Sequence, residues 1–399
     1  MIDIPHSFSG HYTYKNIITI NKYEILINVD KLEDVKYHFH DEFFSSFDWT
    51  KEPKRSIEYY YAERAKQIRD DYDYVVLMYS GGSDSHNVLE TFINNNIFLD
   101  EICSSISYKG SGLIIGDALN HEILGVGGAK EKAERIKHEN TIYRLYDITD
   151  YTLNRWNNTN DCSLWSINSR PSGGRILDLG VDKWTQLHES GKKICFVWAN
   201  QKPVIKIYED NYYFTFSDNL NTNRPFRESL IRDNAVDEQF YHWPNIQSAN
   251  IIIKQSHMIK NLLEKIGLQT FLINKYGKVD DATIRDLELW SGEEYRIGSR
   301  PASRLRFGGD EMKRLIYPRW KKSDYYYIPT TKETASVFLN KQEQWFWNSN
   351  SEVAKKYLDI IQGYRDEVKD MWKNGNISLD NNEFIKFMKT LQTKRYYLQ

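Results

Sequence analysis

The hexapeptide SGGSDS at positions 80–85 brings together three hydroxyls, one acid and two adjacent glycines. It follows the apolar run YVVLM and precedes apolar residues at helical spacing, so it is predicted to join a buried strand to a helix. Such a turn presents several backbone N–H groups and the positive end of the helix dipole at one spot. Glycines let the main chain approach a ligand closely, and serine hydroxyls add donors. We therefore predict an anion site whose ligand is phosphate.

Asp84 is the one acid in this stretch. A carboxylate among phosphates is best explained by a shared Mg²⁺ ion, because Mg²⁺ prefers one or two carboxylates plus phosphate oxygens. The G-x-x-x-x-G-K-[ST] loop carries its lysine inside the motif, and this stretch does not, which argues against a γ-phosphate-cleaving machine. The alternative is an ordinary turn with a good helix cap, since Ser and Asp are favoured there for local reasons. The strand and helix on either side favour the phosphate site.

Composition limits the class of protein. The chain has 399 residues, of which 40% are hydrophobic and 14% aromatic, enough to bury a substantial core. Lys and Arg total 53 against 55 for Asp and Glu, so there is no general attraction to nucleic acid or to an anionic membrane. The three cysteines form no C-x-x-C pair, which predicts a reduced cytoplasmic protein without structural zinc. We expect no export signal and no membrane span.

The pattern along the chain predicts three sections. Residues 1–52 contain the alternating runs NIITI and YEILINV, which indicate a small hairpin, followed by an aromatic loop. Residues 53–224 alternate strands with helices, which predicts a parallel sheet. Residues 225–399 show mostly helical patterns. The predicted fold class is α/β, a parallel twisted sheet flanked by helices, with a small N-terminal β extension and a mostly α C-terminal section. Strands are predicted at 74–78, 101–107, 141–148, 193–199 and 204–209, and helices from Ser56 and at 85–95 and 128–138.

The SGGSDS stretch resembles the SGGxDS loop of the N-type ATP pyrophosphatases, the PP-loop superfamily. That group includes asparagine synthetase, GMP synthetase, NAD synthetase, argininosuccinate synthetase and several tRNA-modifying enzymes. The layout of residues 56–220 fits the parallel-sheet nucleotide domain of that family, an adenine-nucleotide alpha-hydrolase-like fold. The approach YYAERAKQIRDDYDYVVLMYSGGSDS is similar to asparagine-synthase-like proteins of bacteriophages.

The resemblance implies an ATP-dependent ligase that forms AMP and pyrophosphate. In that family the loop holds the β- and γ-phosphates while an acceptor oxygen attacks the α-phosphate, and a nucleophile, often ammonia, then displaces AMP. ATP and Mg²⁺ are the implied cofactors, and Asp84 is the implied metal ligand. The implied phosphate-binding residues are Ser80, Gly81, Gly82, Ser83, Asp84 and Ser85, and adenine is expected against the backbone at Leu77, Met78 and Ile106.

Charge that accumulates on departing pyrophosphate requires further cations. Lys202 is the first choice, because it follows the strand KICFVWA and loops after parallel strands gather where ligands bind. Arg170 and Arg175 flank a glycine pair and are second choices, because such a segment can wrap a phosphate. The plain alternative for all three is a solvated basic loop. The glycines of GVGGAKEKAERIKH, 125–138, are interpreted as a simple helix start, because the dinucleotide spacing is incomplete.

The acceptor is expected between the sheet edge and the helical section. Candidate residues for its selection are Asn120 and Glu122 on a loop, Lys254 and His257 on one helix face, and Arg300 in the basic and aromatic segment 295–320. The alternative for Asn120 and Glu122 is an exposed loop, and the alternative for Lys254 and His257 is an ordinary helix contact. The segment 295–320 could grip nucleic acid, contact the phosphates of ATP, or fasten two sections together.

Several absences narrow the expectation. The resemblance to the complete glutamine-dependent asparagine synthetase does not extend to its ammonia-producing half. Residue 2 is Ile rather than Cys, and the first 50 residues are too few for a glutaminase domain. Free ammonia, a separate donor or another nucleophile is then required. The lack of C-x-x-C pairs argues against sulfur-transferring tRNA thiolases and the zinc-containing 7-cyano-7-deazaguanine synthase. Two rivals stay open. One is an enzyme that modifies a base in tRNA or phage DNA by the same chemistry, and the other is a non-catalytic sensor of ATP or AMP.

Overall fold

The computed structural model describes residues 10–19, 34–106, 128–147, 181–199, 203, 205–208, 211–218, 236–242, 246–266, 288–289, 314–319 and 391–399. Six predicted site residues lie outside these ranges: Asn120, Glu122, Arg170, Arg175, Lys202 and Arg300. The described elements in chain order are β1 (His11–Tyr14), β2 (Ile17–Thr19), β3 (Lys36–His38), α1 (Asp41–Ser45), α2 (Ile57–Asp71), β4 (Tyr74–Met78), α3 (Ser83–Asn94), β5 (Glu101–Ile106), α4 (Ala129–Ile136), β6 (Ile142–Asp147), α5 (Val181–Glu189), β7 (Ile194–Trp198), β8 (Ile205–Tyr208), β9 (Asn211–Phe214), β10 (Val236–Phe240), a 3₁₀ turn (Ile246–Ser248), α6 (Ala249–Ile266), β11 (Glu288–Leu289) and β12 (Tyr396–Leu398).

A five-stranded parallel sheet with the order β10-β7-β4-β5-β6 forms the centre of the structure. This confirms the predicted α/β class. β4 is the central strand, and its residues Val75, Val76 and Leu77 are fully buried. Strands of parallel sheets are covered on both faces, so they are apolar without alternation, as the run YVVLM is.

Helices cover both faces of this sheet. On one face, Trp184 of α5 lies among Val76, Phe196 and Val236. On the other face, apolar side chains of α2, α3 and α4 bury Val75 and Leu77. Helix α2 begins where the sequence predicted, because the Ser56 side chain accepts a hydrogen bond from the Tyr59 amide at 3.3 Å and caps it.

The predicted strand 204–209 does not belong to the parallel sheet. It forms β8, which pairs antiparallel with β9 in a second sheet of order β11-β8-β9-β12. The physical reason is the connection, since β7 ends at Trp198 and β8 begins at Ile205. A parallel crossover needs a dozen or more residues, and an antiparallel hairpin needs only a short turn.

β10 lies in the parallel sheet beside β7 and was not predicted from the sequence. Its sequence VDEQF is mostly polar, and the buried residues Val236, Glu238 and Phe240 alternate with half-buried ones. An edge strand that buries a glutamate lacks the apolar signal of β4. The parallel sheet therefore extends beyond residue 224, where the sequence pattern had placed the start of a helical section.

The N-terminal strands form a third, antiparallel sheet with the order β2-β1-β3. The run NIITI supplies β2 and pairs with β1, whereas YEILINV lies outside the described residues. Aromatic side chains join this region to the second sheet: the Trp49 ring stacks on Phe214 and on Tyr396, with ring centroids 5.3 and 4.6 Å away. In the described part of the chain, no helix has both the length and the apolarity required to cross a lipid bilayer.

Candidate functional site

The stretch 80–85 lies just beyond the carboxyl end of β4, at the centre of the parallel sheet. From β4 the chain moves to β5 on one side and later to β7 on the other, so the strand order reverses at β4. Open α/β sheets bind ligands outside the carboxyl ends of their strands, in the crevice that such a reversal creates. The loop after β4 borders that crevice.

Gly81 has a backbone conformation that only glycine adopts easily, with φ of +80°. A Cβ atom built on it would lie 2.8 Å from Cβ and 3.1 Å from the amide nitrogen of Ala129. The backbone of the loop therefore touches the first residue of α4. Both the dihedral angle and the lack of space require glycine at this position.

Two helices begin beside Gly81, and among the residues that the structure describes neither start has a side-chain cap. Gly82 is the N-cap of α3 and Gly128 is the N-cap of α4, and neither start has a side-chain cap hydrogen bond. The first amides of a helix have no partner within the helix, and the helix dipole places partial positive charge there. The stretch 125–138, which the sequence suggested was a simple helix start, thus brings a second helix N-terminus to the loop.

The hydroxyls of Ser80 and Ser85 make hydrogen bonds within the loop. Ser85 is buried, and its Oγ donates to the Gly82 carbonyl at 3.2 Å and accepts from the Ser80 amide at 3.3 Å. Ser80 is exposed, and its Oγ accepts from the Gly82 amide at 3.2 Å. Ser85 braces the loop in this structure, and a direct contact between Ser85 and phosphate stays a prediction.

The two ends of the loop are also joined to each other. The Tyr79 hydroxyl is hydrogen-bonded to His86 Nδ1 at 2.8 Å, across the base of the loop. The Ser104 hydroxyl on β5 donates to the Tyr79 carbonyl at 2.6 Å. Both ends of the loop are therefore anchored by hydrogen bonds between buried groups.

A buried lysine on α4 contacts the backbone of the loop. Lys132 lies one turn into α4, and its Nζ donates a hydrogen bond to the Gly81 carbonyl at 3.0 Å. Sequence reasoning missed this residue because AKEKAERIKH reads as an exposed helix with several equivalent lysines. The signal that could have found it is the spacing, since Lys132 follows the side-chain-poor sequence Gly-Gly-Ala by one helical turn.

Asp84 lies half-buried in the first turn of α3 and accepts two hydrogen bonds at Oδ1. One donor is Ser83 Oγ at 3.3 Å, and the other is the hydroxyl of Tyr317. Tyr317 is buried and belongs to the predicted basic and aromatic segment 295–320, of which 314–319 are described. No pattern in the sequence connects residues 84 and 317.

The structure places the other predicted residues as follows. Leu77 is buried within β4, and Met78 and Ile106 end β4 and β5 at the same sheet edge as the loop. Lys254 instead contacts Glu52 and donates to the Pro53 carbonyl at 3.1 Å, and His257 Nε2 donates to the Trp49 carbonyl at 2.8 Å. These two residues fasten α6 to the segment 49–53.

The His257 contact predicts a dependence of stability on pH. Burial lowers the pKa of the His257 imidazole below its ordinary value of 6.5. The unfolded state then binds more protons, so the free energy of unfolding falls as the pH falls through 6.5 towards the lower folded pKa. We expect the variant His257→Gln, which keeps an amide donor for Trp49, to lose less stability than the wild type between about pH 7 and pH 5.

Urea unfolding at a series of pH values measures this difference. Burial also lowers the pKa of His11, but that residue contributes equally to both proteins and cancels in the comparison. Equal pH slopes for the two proteins would show that His257 is not held neutral by the fold.

Thiol chemistry is disfavoured at the two described cysteines. Cys103 and Cys195 are buried and unbridged. Burial raises the pKa of Cys103 to about 12 and raises that of Cys195 as well. A thiolate is the reactive form, so neither group is an effective nucleophile at neutral pH.

Within the described ranges, no group of three or more His, Cys, Asp or Glu side chains could hold a metal ion. A magnesium ion that shares phosphate oxygens does not need such a cluster, because one or two carboxylates and water complete its octahedral shell. The carboxylate of Asp84, at the start of a helix and beside the loop, fits that kind of site.

The chain was compared with known proteins by sequence. No protein-family model matches it, and a search of curated proteins returns no significant match.

Proposed function

We propose that the protein binds ATP and Mg²⁺ at residues 80–85 and transfers AMP to a carbonyl or carboxyl oxygen of an acceptor, releasing pyrophosphate. A nucleophile then displaces AMP and forms an amide or amine. The observation that carries the proposal is the meeting of two uncapped helix N-termini at Gly81, beyond the central strand of a parallel sheet. The resemblance of SGGSDS to the PP-loop supplies the identity of the anion.

Each group near the loop has a role in this proposal. The first amides of α3 and α4 would bind the phosphate tail, and the Asp84 carboxylate would hold the magnesium ion. Bound magnesium would neutralise charge that develops on the pyrophosphate. Lys132 would add a buried positive charge, and its hydrogen bond fixes the Gly81 carbonyl. Lys202 follows β7, the neighbour of β4, and is proposed as a further cation at the same sheet edge.

No protein side chain needs to form a covalent bond in the proposed reaction. The acceptor oxygen attacks the α-phosphorus, the bond to the bridging oxygen breaks, and pyrophosphate leaves with the electron pair. In the second step, the nucleophile attacks the activated carbon and loses a proton while AMP leaves. Both leaving groups are anionic, so fixed donors and cations provide most of the catalysis. A braced loop with helix N-termini beside it suits that requirement.

Lys132 provides a test of the phosphate site. The variant Lys132→Met keeps the length of the side chain and removes its charge. We expect it to weaken ATP binding roughly tenfold, because the loop loses a nearby positive charge and the Gly81 carbonyl loses its charge-assisted hydrogen bond. Lys137→Met is the matched control, because Lys137 lies at the other end of α4 and donates to the Thr141 carbonyl at 2.9 Å. Calorimetry with ATP measures both affinities. Equal ATP affinities of the two variants would show that Lys132 does not contribute to the phosphate site.

Pyrophosphate release in the presence of candidate acceptors tests the function as a whole. The protein is incubated with ATP, Mg²⁺ and either a set of amino acids or RNA and DNA. Release that requires a small carboxylate supports the ligase, and release that requires nucleic acid supports a base-modifying enzyme of the same chemistry. ATP binding without release under any condition indicates a sensor. The proposal would be refuted if the protein neither binds ATP nor releases pyrophosphate.

A further inference from the structure

The described segment 314–319 is fixed in the core beside the loop. Ile316 and Tyr317 are 0% and 2% exposed, and the Ile316 carbonyl accepts a hydrogen bond from the Tyr61 hydroxyl at 2.8 Å. Tyr61 lies on α2 and in turn accepts from Gln255 Nε2 on α6 at 2.7 Å. Helix α2 therefore holds this segment in place, and helix α6 holds the Tyr61 hydroxyl that makes the contact.

The ring of Tyr317 is held as firmly as its backbone. It lies 5.6 Å from the ring of His242, centroid to centroid, and His242 is fully buried just after β10. Asn87 Nδ2 on α3 donates to His242 Nε2 at 3.1 Å. Tyr317 is thus placed by α3 and by the chain after β10, and its hydroxyl donates to Asp84 Oδ1.

We propose that Tyr317 is a positioning residue that orients the Asp84 carboxylate for the metal ion. This inference rests on the proposed function. An ionised carboxylate has two oxygens and about four acceptor positions, so a hydrogen bond at Oδ1 can fix the plane of the group while the other oxygen faces a cation in the proposed complex. Ligating carboxylates in metal sites are usually held by such outer hydrogen bonds.

The contact joins two distant parts of the chain, since residues 84 and 317 are 233 positions apart. The segment 314–319 therefore supplies the hydrogen bond that orients the Asp84 carboxylate. Arg314 and Arg319 are exposed at its two ends. The segment completes the site.

The test measures the magnesium dependence of nucleotide binding in the full-length chain. α,β-Methylene-ATP is the probe, because the proposed reaction breaks the α–β bond and this analogue cannot react. Calorimetric titrations of wild type and Tyr317→Phe are made with excess chelator and at a series of Mg²⁺ concentrations. We expect the variant to need about tenfold more Mg²⁺ for half-maximal enhancement of binding, the usual cost of losing an outer partner of a metal ligand. Its affinity without Mg²⁺ should change little.

The matched control is Tyr61→Phe, which removes a buried hydroxyl that holds the same segment but does not contact Asp84. It should be destabilised like Tyr317→Phe and keep the wild-type magnesium dependence. An unchanged dependence in Tyr317→Phe would overturn the inference while leaving the proposed function intact, and so would tighter Mg²⁺ binding, which would mean that the phenol competes with the ion. Failure of the wild type to bind the analogue would instead refute the proposed function.

Discussion

The variant Asp84→Asn is expected to lower the rate of pyrophosphate release roughly 10²- to 10³-fold, the range found when one charge-stabilising group is removed from a reaction site. Asparagine has nearly the same size and shape as aspartate. Its side-chain oxygen can still accept the hydrogen bond from Tyr317, so the fold around the loop should persist. What is lost is the negative charge that would hold Mg²⁺. The measurement is the rate of AMP and pyrophosphate formation at saturating ATP.

Asp100→Asn is the matched control for this experiment. Asp100 pairs with Arg69, with Nη1 and Oδ2 2.7 Å apart, and lies just before β5, at the opposite edge of the sheet from the loop. It should lower stability and leave the rate per folded molecule unchanged. If Asp84→Asn forms AMP as fast as the wild type, Asp84 is not the metal anchor. Restoration of its rate at high Mg²⁺ concentration would support the assigned role.

The variant Gly81→Ala is expected to lower both stability and nucleotide affinity. A non-glycine residue at positive φ costs about 1–2 kcal/mol, and a forced contact in a close-packed region adds about 1–3 kcal/mol. The added methyl group would lie 2.8 Å from the Ala129 side chain and would push α4 and the loop apart. We therefore expect a clear shift in the urea midpoint and a loss of ATP binding in the remaining folded protein.

Gly191→Ala separates the two costs of Gly81→Ala. Gly191 follows α5 with φ of +84°, but no atom lies within 4 Å of a Cβ built there, so the substitution carries only the cost of the dihedral angle. The double variant Gly81→Ala, Ala129→Gly should recover part of the lost stability, because it removes one of the two clashing methyl groups. Equal losses for Gly81→Ala and Gly191→Ala would mean that the loop and α4 are not in close contact.

The parallel sheet could be predicted because its signals are local. The run YVVLM, the cap at Ser56 and the helical stripe that follows it each specify an element within a few residues. The assignment of β8 to this sheet was wrong, because periodicity identifies a strand without its partner. β10 escaped notice because a strand that buries Glu238 has a polar sequence.

The residues of the candidate site also fall into those that could be predicted from the sequence and those that could not. The hexapeptide SGGSDS could be read directly, since its turn and glycines belong to one continuous stretch. Lys132 and Tyr317 could not, because each reaches the loop from an element whose placement depends on tertiary contacts. Lys254 and His257 share a helix face as predicted, but which neighbour that face contacts depends on the fold, and here it is the segment 49–53.

The second sheet has a consequence for the order of folding. Its strands β9 and β12 pair Phe214 with Tyr396, and Trp49 stacks on both of these rings, so three distant parts of the chain must meet. Contacts between residues so far apart in sequence form slowly, because a long loop must close before they are gained. During synthesis, the strands β4 to β10 can pair once residue 240 has left the ribosome. The stacking of Trp49 and Phe214 with Tyr396 can form only after residues 396–398 have been synthesised. Until then, Trp49 and Phe214 lack one of their apolar partners.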